Sequence, residues 1–196
     1  GHELGLQWAA IGRANVGCCR LTGEGLEMTA NKSDAANNHG YYQGSFFHAQ
    51  GLLPLDISLL AVIPINRSYE VQARLKRQPG VEAGILLYYC PEALTGIGLG
   101  ARSEIWTMGS IYRRSEHLSQ PTDEIYLKVV NRENVIAFFW SGDGKRWTQS
   151  EFAHEVSGYH HNVFNGYAGL RVALYASGEG QVWFKDFRYR GLDNEV

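Results

Sequence analysis

Ser68-Tyr69-Glu70-Val71-Gln72-Ala73-Arg74-Leu75-Lys76, followed across Gln78-Pro79-Gly80 by Val81-Glu82-Ala83-Gly84-Ile85-Leu86-Leu87-Tyr88-Tyr89-Cys90, is the stretch that decides the class of this chain. In the first run Tyr69, Val71, Ala73 and Leu75 alternate with Glu70, Gln72, Arg74 and Lys76. Successive side chains of a strand point to opposite faces, so this is a half-buried strand with a wet back. In the second run Val81, Ala83, Ile85, Leu87 and Tyr89 share one face, and Glu82, Gly84, Leu86 and Tyr88 the other. With a Pro-Gly turn between them, the two runs read as a β-hairpin.

The same period continues outward. Ile97–Ala101 and Glu104–Met108 read as short strands. Ile125–Val130 and Val135–Trp140 flank Asn131-Arg132-Glu133-Asn134 as a second hairpin. Ser141-Gly142-Asp143-Gly144 turns toward Trp147 on another short strand. Gly166–Ala176 and Gln181–Arg190 flank Ser177-Gly178-Glu179-Gly180, and Gly5–Ile11 and Gly25–Ala30 read as strands near the start. No window longer than ten residues holds a helical apolar period. Turn signals every 8–12 residues or so predict an all-β antiparallel sandwich or barrel. Residues 35–53 break the rhythm. This apparent insertion carries Tyr41, Tyr42, Phe46, Phe47 and His48, and reads either as a functional interface loop or as an ordered arm covering the core edge. With no repeat or linker, residues 1–196 read as one domain.

Composition agrees with that class. The 196 residues include 23 glycines and 12% aromatics, which suits many short strands joined by tight turns. A formal charge of −2 without a like-charge block gives no basic footprint for nucleic acid. No apolar run reaches the roughly 18 residues needed to span a bilayer. Cys18, Cys19 and Cys90 are odd in number and two are adjacent, so three free, mostly buried thiols are expected, favouring a reducing, cytoplasmic compartment with secretion as the alternative. The opening Gly1-His2-Glu3 has neither an initiator Met nor a signal-peptide pattern, as in a processed chain or part of a longer one.

Motifs for chemistry are mostly missing. Gly96-Ile97-Gly98-Leu99-Gly100 lacks dinucleotide spacing and a following helix, and reads as strand glycines making room for a neighbour. No nucleophile elbow or H-E-x-x-H occurs. Glycoside hydrolysis needs two carboxyls about 5–9.5 Å apart, and no strand carries acids at alternate positions to supply them. No catalytic residue and no cofactor is therefore assigned. A structural calcium ion at Asp186 is the one metal considered, against a surface Asp beside Lys185.

Binding residues are easier to nominate. Sugar rings have weakly apolar C–H faces that Tyr or Trp can cover while a polar tip bonds hydroxyls. Tyr88, Tyr126 and Tyr175 each lie opposite the more apolar face of their strand, and Arg171 shares Tyr175's face. A groove lined by them would suit an oligosaccharide. Tyr159, His160 and His161, within Ser157-Gly158-Tyr159-His160-His161-Asn162, could bond sugar hydroxyls or contact another domain, or could simply serve a polar turn.

Taken in order, several segments resemble the C-terminal sandwich domain of glycoside hydrolase family 43. They are Leu4-Gly5-Leu6-Gln7-Trp8, Tyr69-Glu70-Val71, the run Glu82–Tyr89, Phe138–Trp147 with its Ser141-x-Asp143-Gly144-x-x-Trp147 hairpin, Ser157–Asn162 and Phe184–Tyr189. The resemblance implies a concanavalin-like jelly roll that accompanies a five-bladed propeller in β-xylosidases and α-L-arabinofuranosidases. That propeller carries the three catalytic carboxylates and has no counterpart here. It further implies a non-catalytic accessory module, with xylo-oligosaccharide or a related plant polysaccharide and the parent's propeller as partners. Two alternatives remain: a purely structural docking domain, and a self-sufficient jelly-roll glycanase or lyase. The 35–53 insertion departs from the family pattern.

Overall fold

The computed structural model describes residues 3–11, 16–30, 58–90, 92–109, 113–164 and 169–192. The proposed insertion at 35–53, with Tyr41, Tyr42, Phe46, Phe47 and His48, lies outside them. Fourteen strands run through the described residues: β1 (Ala9–Ile11), β2 (Cys19–Thr22), β3 (Gly25–Ala30), β4 (Ser58–Val62), β5 (Tyr69–Arg77), β6 (Glu82–Cys90), β7 (Ala93–Leu99), β8 (Glu104–Met108), β9 (Arg113–His117), β10 (Glu124–Arg132), β11 (Val135–Ser141), β12 (Thr148–Glu155), β13 (Arg171–Ser177) and β14 (Gly180–Gly191). They form two seven-stranded sheets whose pairings are antiparallel. The front sheet is ordered β1-β4-β13-β6-β7-β8-β9 and the back sheet β12-β11-β10-β5-β14-β3-β2.

The alternation in β5 places Tyr69, Val71, Ala73 and Leu75 in the interior, all buried, while Glu70, Gln72 and Lys76 face outward. Opposite them Ala83, Ile85 and Leu87 of β6 and Val172 and Leu174 of β13 complete the inter-sheet core. This is the expected two-sheet sandwich, with each inner face contributing every second residue.

The hairpin reading of β5 and β6 is corrected. The two strands lie in different sheets. β5 hydrogen-bonds β10 and β14, and β6 hydrogen-bonds β13 and β7. Gln78-Pro79-Gly80 is thus an arch crossing from the back sheet to the front. Ser177-Gly178-Glu179-Gly180, between β13 and β14, is a second arch. Period-two alternation is the same in a hairpin and an arch, because both turn one apolar face toward the core. The β10–β11 hairpin does form, with Glu133 and Asn134 at φ 48° and 77° in its two-residue turn. The first expected strand shrinks to Ala9–Ile11 behind a turn at Leu6-Gln7, β7 starts at Ala93 rather than Ile97, and Trp147 lies just ahead of β12.

Candidate functional site

A second apolar cluster lies on the outer face of the front sheet, away from the inter-sheet core: Leu59, Ala61, Leu86, Leu94, Trp106, Met108, Ala173 and Tyr175. Its layout follows from one row of paired residues, Tyr175–Gly84–Gly98–Trp106, crossing β13, β6, β7 and β8. The two middle positions are glycine. A Cβ at Gly98 would overlap the Trp106 ring and crowd the Ala83 carbonyl. With no side chains between them, the rings of Tyr175 and Trp106 fold toward each other and meet edge-on, centroids 5.8 Å apart at 80°. The glycines of Gly96-Ile97-Gly98 thus make room for neighbours, as their spacing suggests.

Above this floor sits a charged knot. The Tyr175 hydroxyl donates to Glu82 Oε1 at 2.7 Å. Arg113, from β9, lies over the Trp106 ring at 5.2 Å and reaches Glu82 with both ends of its fork, Nη1 to Oε1 at 2.9 Å and Nη2 to Oε2 at 2.7 Å. Glu104 approaches the same guanidinium at 3.9 Å. Burial, then the Glu82 charge, pushes the Tyr175 phenol well above its ordinary pKa. Burial alone would lower the Arg113 pKa, but the hydrogen bonds and charge of Glu82 outweigh it and raise it. Glu82 and Glu104 are acids of one face, with Arg113 reaching both. Both Glu82 oxygens accept hydrogen bonds, Oε1 from Arg113 and Tyr175 and Oε2 from Arg113.

The nominated groove residues are divided. Tyr88 and Arg171 are direct cross-strand partners on this same outer face, at the end near the β6–β7 turn, and both are half-buried. No carboxylate pairs with Arg171 among the described residues. Tyr175 is on that face but has no exposed surface, so it holds Glu82 rather than lining an open groove. Tyr126 is on the outer face of the back sheet, beneath Arg74 at 5.6 Å and against Gly144.

Tyr159 is anchored rather than presented. Its hydroxyl donates to the Leu94 carbonyl at 3.1 Å and lies 3.1 Å from His154 Nε2, within a ring cluster with Phe164. Burial lowers the His154 pKa. His160 Nδ1 accepts from the Asn162 N–H at 3.2 Å, while His161 is exposed. Asp186 sits at a bulge in β14 with φ 52°. Among the described residues no group of three or more His, Cys, Asp or Glu could hold a metal ion, and no helix is long and apolar enough to cross a membrane. The three thiols are free but half-buried rather than mostly buried, and Cys18 Sγ lies 3.5 Å from Cys19 Sγ.

Sequence reasoning missed the Glu82–Arg113 pair. A carboxylate on an otherwise apolar strand face signals that a partner must exist, but Arg113 comes from three strands away, and no local spacing announces it.

Comparison with known proteins agrees with this architecture. Residues 60–190 match the family described as the beta xylosidase C-terminal concanavalin A-like domain. Among solved structures, a mutant of the GH43 protein BlXynB from Bacillus licheniformis is similar with a TM-score of 0.76 at 17% identity, over 97% of this chain and 38% of that one. Xylan beta-1,4-xylosidase from Bacillus halodurans gives 0.71 at 17% identity, again over 97% and 38%. The carbohydrate-binding module CBM66 from Bacillus subtilis gives 0.53 at 8% identity, over 94% of this chain and 96% of that one. This chain therefore spans well under half the length of those GH43 proteins. No curated protein sequence matches it. With the matched region covering most of a two-sheet jelly-roll sandwich, the chain belongs to the family of concanavalin A-like C-terminal domains of GH43 β-xylosidases.

Proposed function

We propose that this chain is a non-catalytic accessory module of a xylan- or arabinan-degrading glycoside hydrolase, contacting xylo-oligosaccharide while it supports a catalytic domain. The observation that carries the sugar contact is the Tyr88–Arg171 pair. A half-buried phenol ring stands directly beside a half-buried guanidinium that has no carboxylate partner among the described residues. A ring face can cover sugar C–H groups while a fixed fork donates to hydroxyls. Titrating the chain with xylohexaose, followed by backbone NMR shifts or tryptophan fluorescence, should perturb the Tyr88 end of the front sheet, and Arg171→Ala should remove the response. An unperturbed spectrum at millimolar sugar removes the sugar-contact half of the proposal.

The supporting role draws on a different observation. Leu6, Ile63 and Ile65 are exposed at 105%, 62% and 89%. Ala9 pairs with Ala61 in antiparallel register, so the segments before β1 and after β4 emerge at the same end of the sandwich. The Ile65 and Asn66 amides both donate to the Tyr189 hydroxyl at 3.2 Å, which fixes the loop that displays the isoleucines. An apolar surface held out this way suits a packed neighbour domain. Sedimentation of the isolated chain should show self-association that Ile63→Ser with Ile65→Ser abolishes; a double variant that sediments like the parent chain argues against docking there.

A further inference from the structure

The geometry points to a second ligand surface, on the outer face of the back sheet, that binds a glycan bearing uronic-acid carboxylates. Two basic side chains there, Lys128 and Arg188, have no acidic partner among the described residues, although the whole chain is net negative at −2, whereas Lys76 stands directly opposite Glu124 and acts on Glu24. Their basic neighbours are compensated: Arg74 by Glu124, Lys185 by Glu24, Arg190 by Glu70 and Arg20 by Glu27.

The placement of these charges is built by the fold. Arg188, Gln72 and Lys128 form one row across β14, β5 and β10. Residues three apart on a regular strand point to opposite faces, so Lys185 and Arg188 should not share one. An extra residue in β14, with Asp186 at φ 52°, shifts the register between them and returns Arg188 to the outer face. Lys128 is held by two rings, its Nζ 4.9 Å from the Phe139 centroid and 4.3 Å from that of Trp147. A cation already fixed in this way gives up less side-chain freedom when an anion arrives.

Spacing selects the ligand class. Strand separation puts Arg188 and Lys128 about 10 Å apart across the sheet, with the neutral Gln72 between them. Glu124, Glu70 and Glu27 lie among them on the same face. A nucleic acid, with a charge every few ångströms, would confront those acids. A glycan of mostly neutral sugars with carboxylates at intervals meets Arg188 and Lys128 along a row that carries no acid. Choosing a plant-wall polymer as probe rests on the accessory-module reading; the surface itself does not.

The test is electrophoresis of the full chain through native gels containing glucuronoxylan, or the same polymer with its carboxyls reduced to alcohols. Retardation is expected with the acidic polymer at about 0.01 M ionic strength, with affinity at least about tenfold weaker at about 0.15 M as the Debye length falls from about 30 to about 8 Å. The carboxyl-reduced polymer keeps only the front-sheet contact to its xylose backbone and should retard the chain less than the acidic polymer. Arg188→Gln with Lys128→Gln should weaken retardation at least about fivefold. Arg171→Ala, which removes the proposed front-sheet contact to the xylose backbone, should weaken retardation by both polymers alike and leave the difference between them unchanged. Equal retardation by the two polymers, full retention in the double variant, or equally tight binding of single-stranded DNA overturns the inference. The neutral xylohexaose titration answers to the front-sheet proposal alone.

Discussion

Gln78 and Gln181 lock the two arches of the sandwich to each other. The Gln78 amide donates to the Gln181 carbonyl at 2.9 Å, and the Gln181 amide donates back to Gln78 Oε1 at 2.9 Å. Beside them Gly178, at φ 104°, approaches the Gly80 carbonyl so closely that a Cβ would stand 2.7 Å from it. The chain therefore crosses between sheets twice at one place, and backbone groups freed from both ladders satisfy one another.

Gln78→Ala removes the acceptor for the Gln181 amide. The expected cost is about 0.5–1.5 kcal/mol, read as a fall in melting temperature of about 1–6 °C for a domain of this size. An unchanged melt would show that water replaces the side chain at no cost.

Gly98→Ala puts a methyl group into the Trp106 ring and the Ala83 carbonyl. Overpacking of this kind typically costs about 1–3 kcal/mol. Chemical denaturation should show the loss, and a shifted tryptophan emission should accompany it. If stability holds and emission does not move, the trough between Tyr175 and Trp106 is not filled as described.

Glu82 and Arg113 are 18% and 24% exposed, so neither is freely hydrated when its partner is removed. Glu82→Gln and Arg113→Met should each cost about 1.5–3 kcal/mol, as hydrogen bonds to charged groups do. The double variant should cost less than their sum, by about 1–2 kcal/mol. Strict additivity in the cycle would falsify the bidentate pair.

His154 gives the fold a pH dependence of known sign. Burial lowers its pKa in the folded chain below the ordinary value near 6.5. Below that value the unfolded chain binds a proton that the folded chain resists, so stability falls as pH drops from the ordinary pKa through the lowered one. Urea unfolding at about pH 7.5 and about pH 5 should show a loss that shrinks in His154→Gln. Parallel pH profiles for the two proteins would refute the assignment.

Much of the front-sheet site was legible as faces and little of it as contacts. The alternation of Glu82, Gly84, Leu86 and Tyr88 correctly puts these four on one side of β6, and Arg171 with Tyr175 on one side of β13. It does not reveal that Tyr175 is fully buried, nor that Tyr126, on an equally outward position, belongs to the other sheet. A strand's outward face is set by its own residues, but which sheet it joins is set by its partners.

By itself the sequence determined most of the strands, the inward face of those it read and the glycine turns that separate them, but not β2, β4 or β9. These follow from a local competition, in which every second side chain leaves water and φ > 0 is cheap only at a few residues. Tertiary structure alone decided that β5 and β6 are joined by an arch, that Arg113 reaches Glu82, and that the bulge at Asp186 brings Arg188 beside Lys128's row. The physical reason is that backbone N–H and C=O groups are alike in every strand, so pairing is chosen by how two whole faces pack and not by any residue beside the turn.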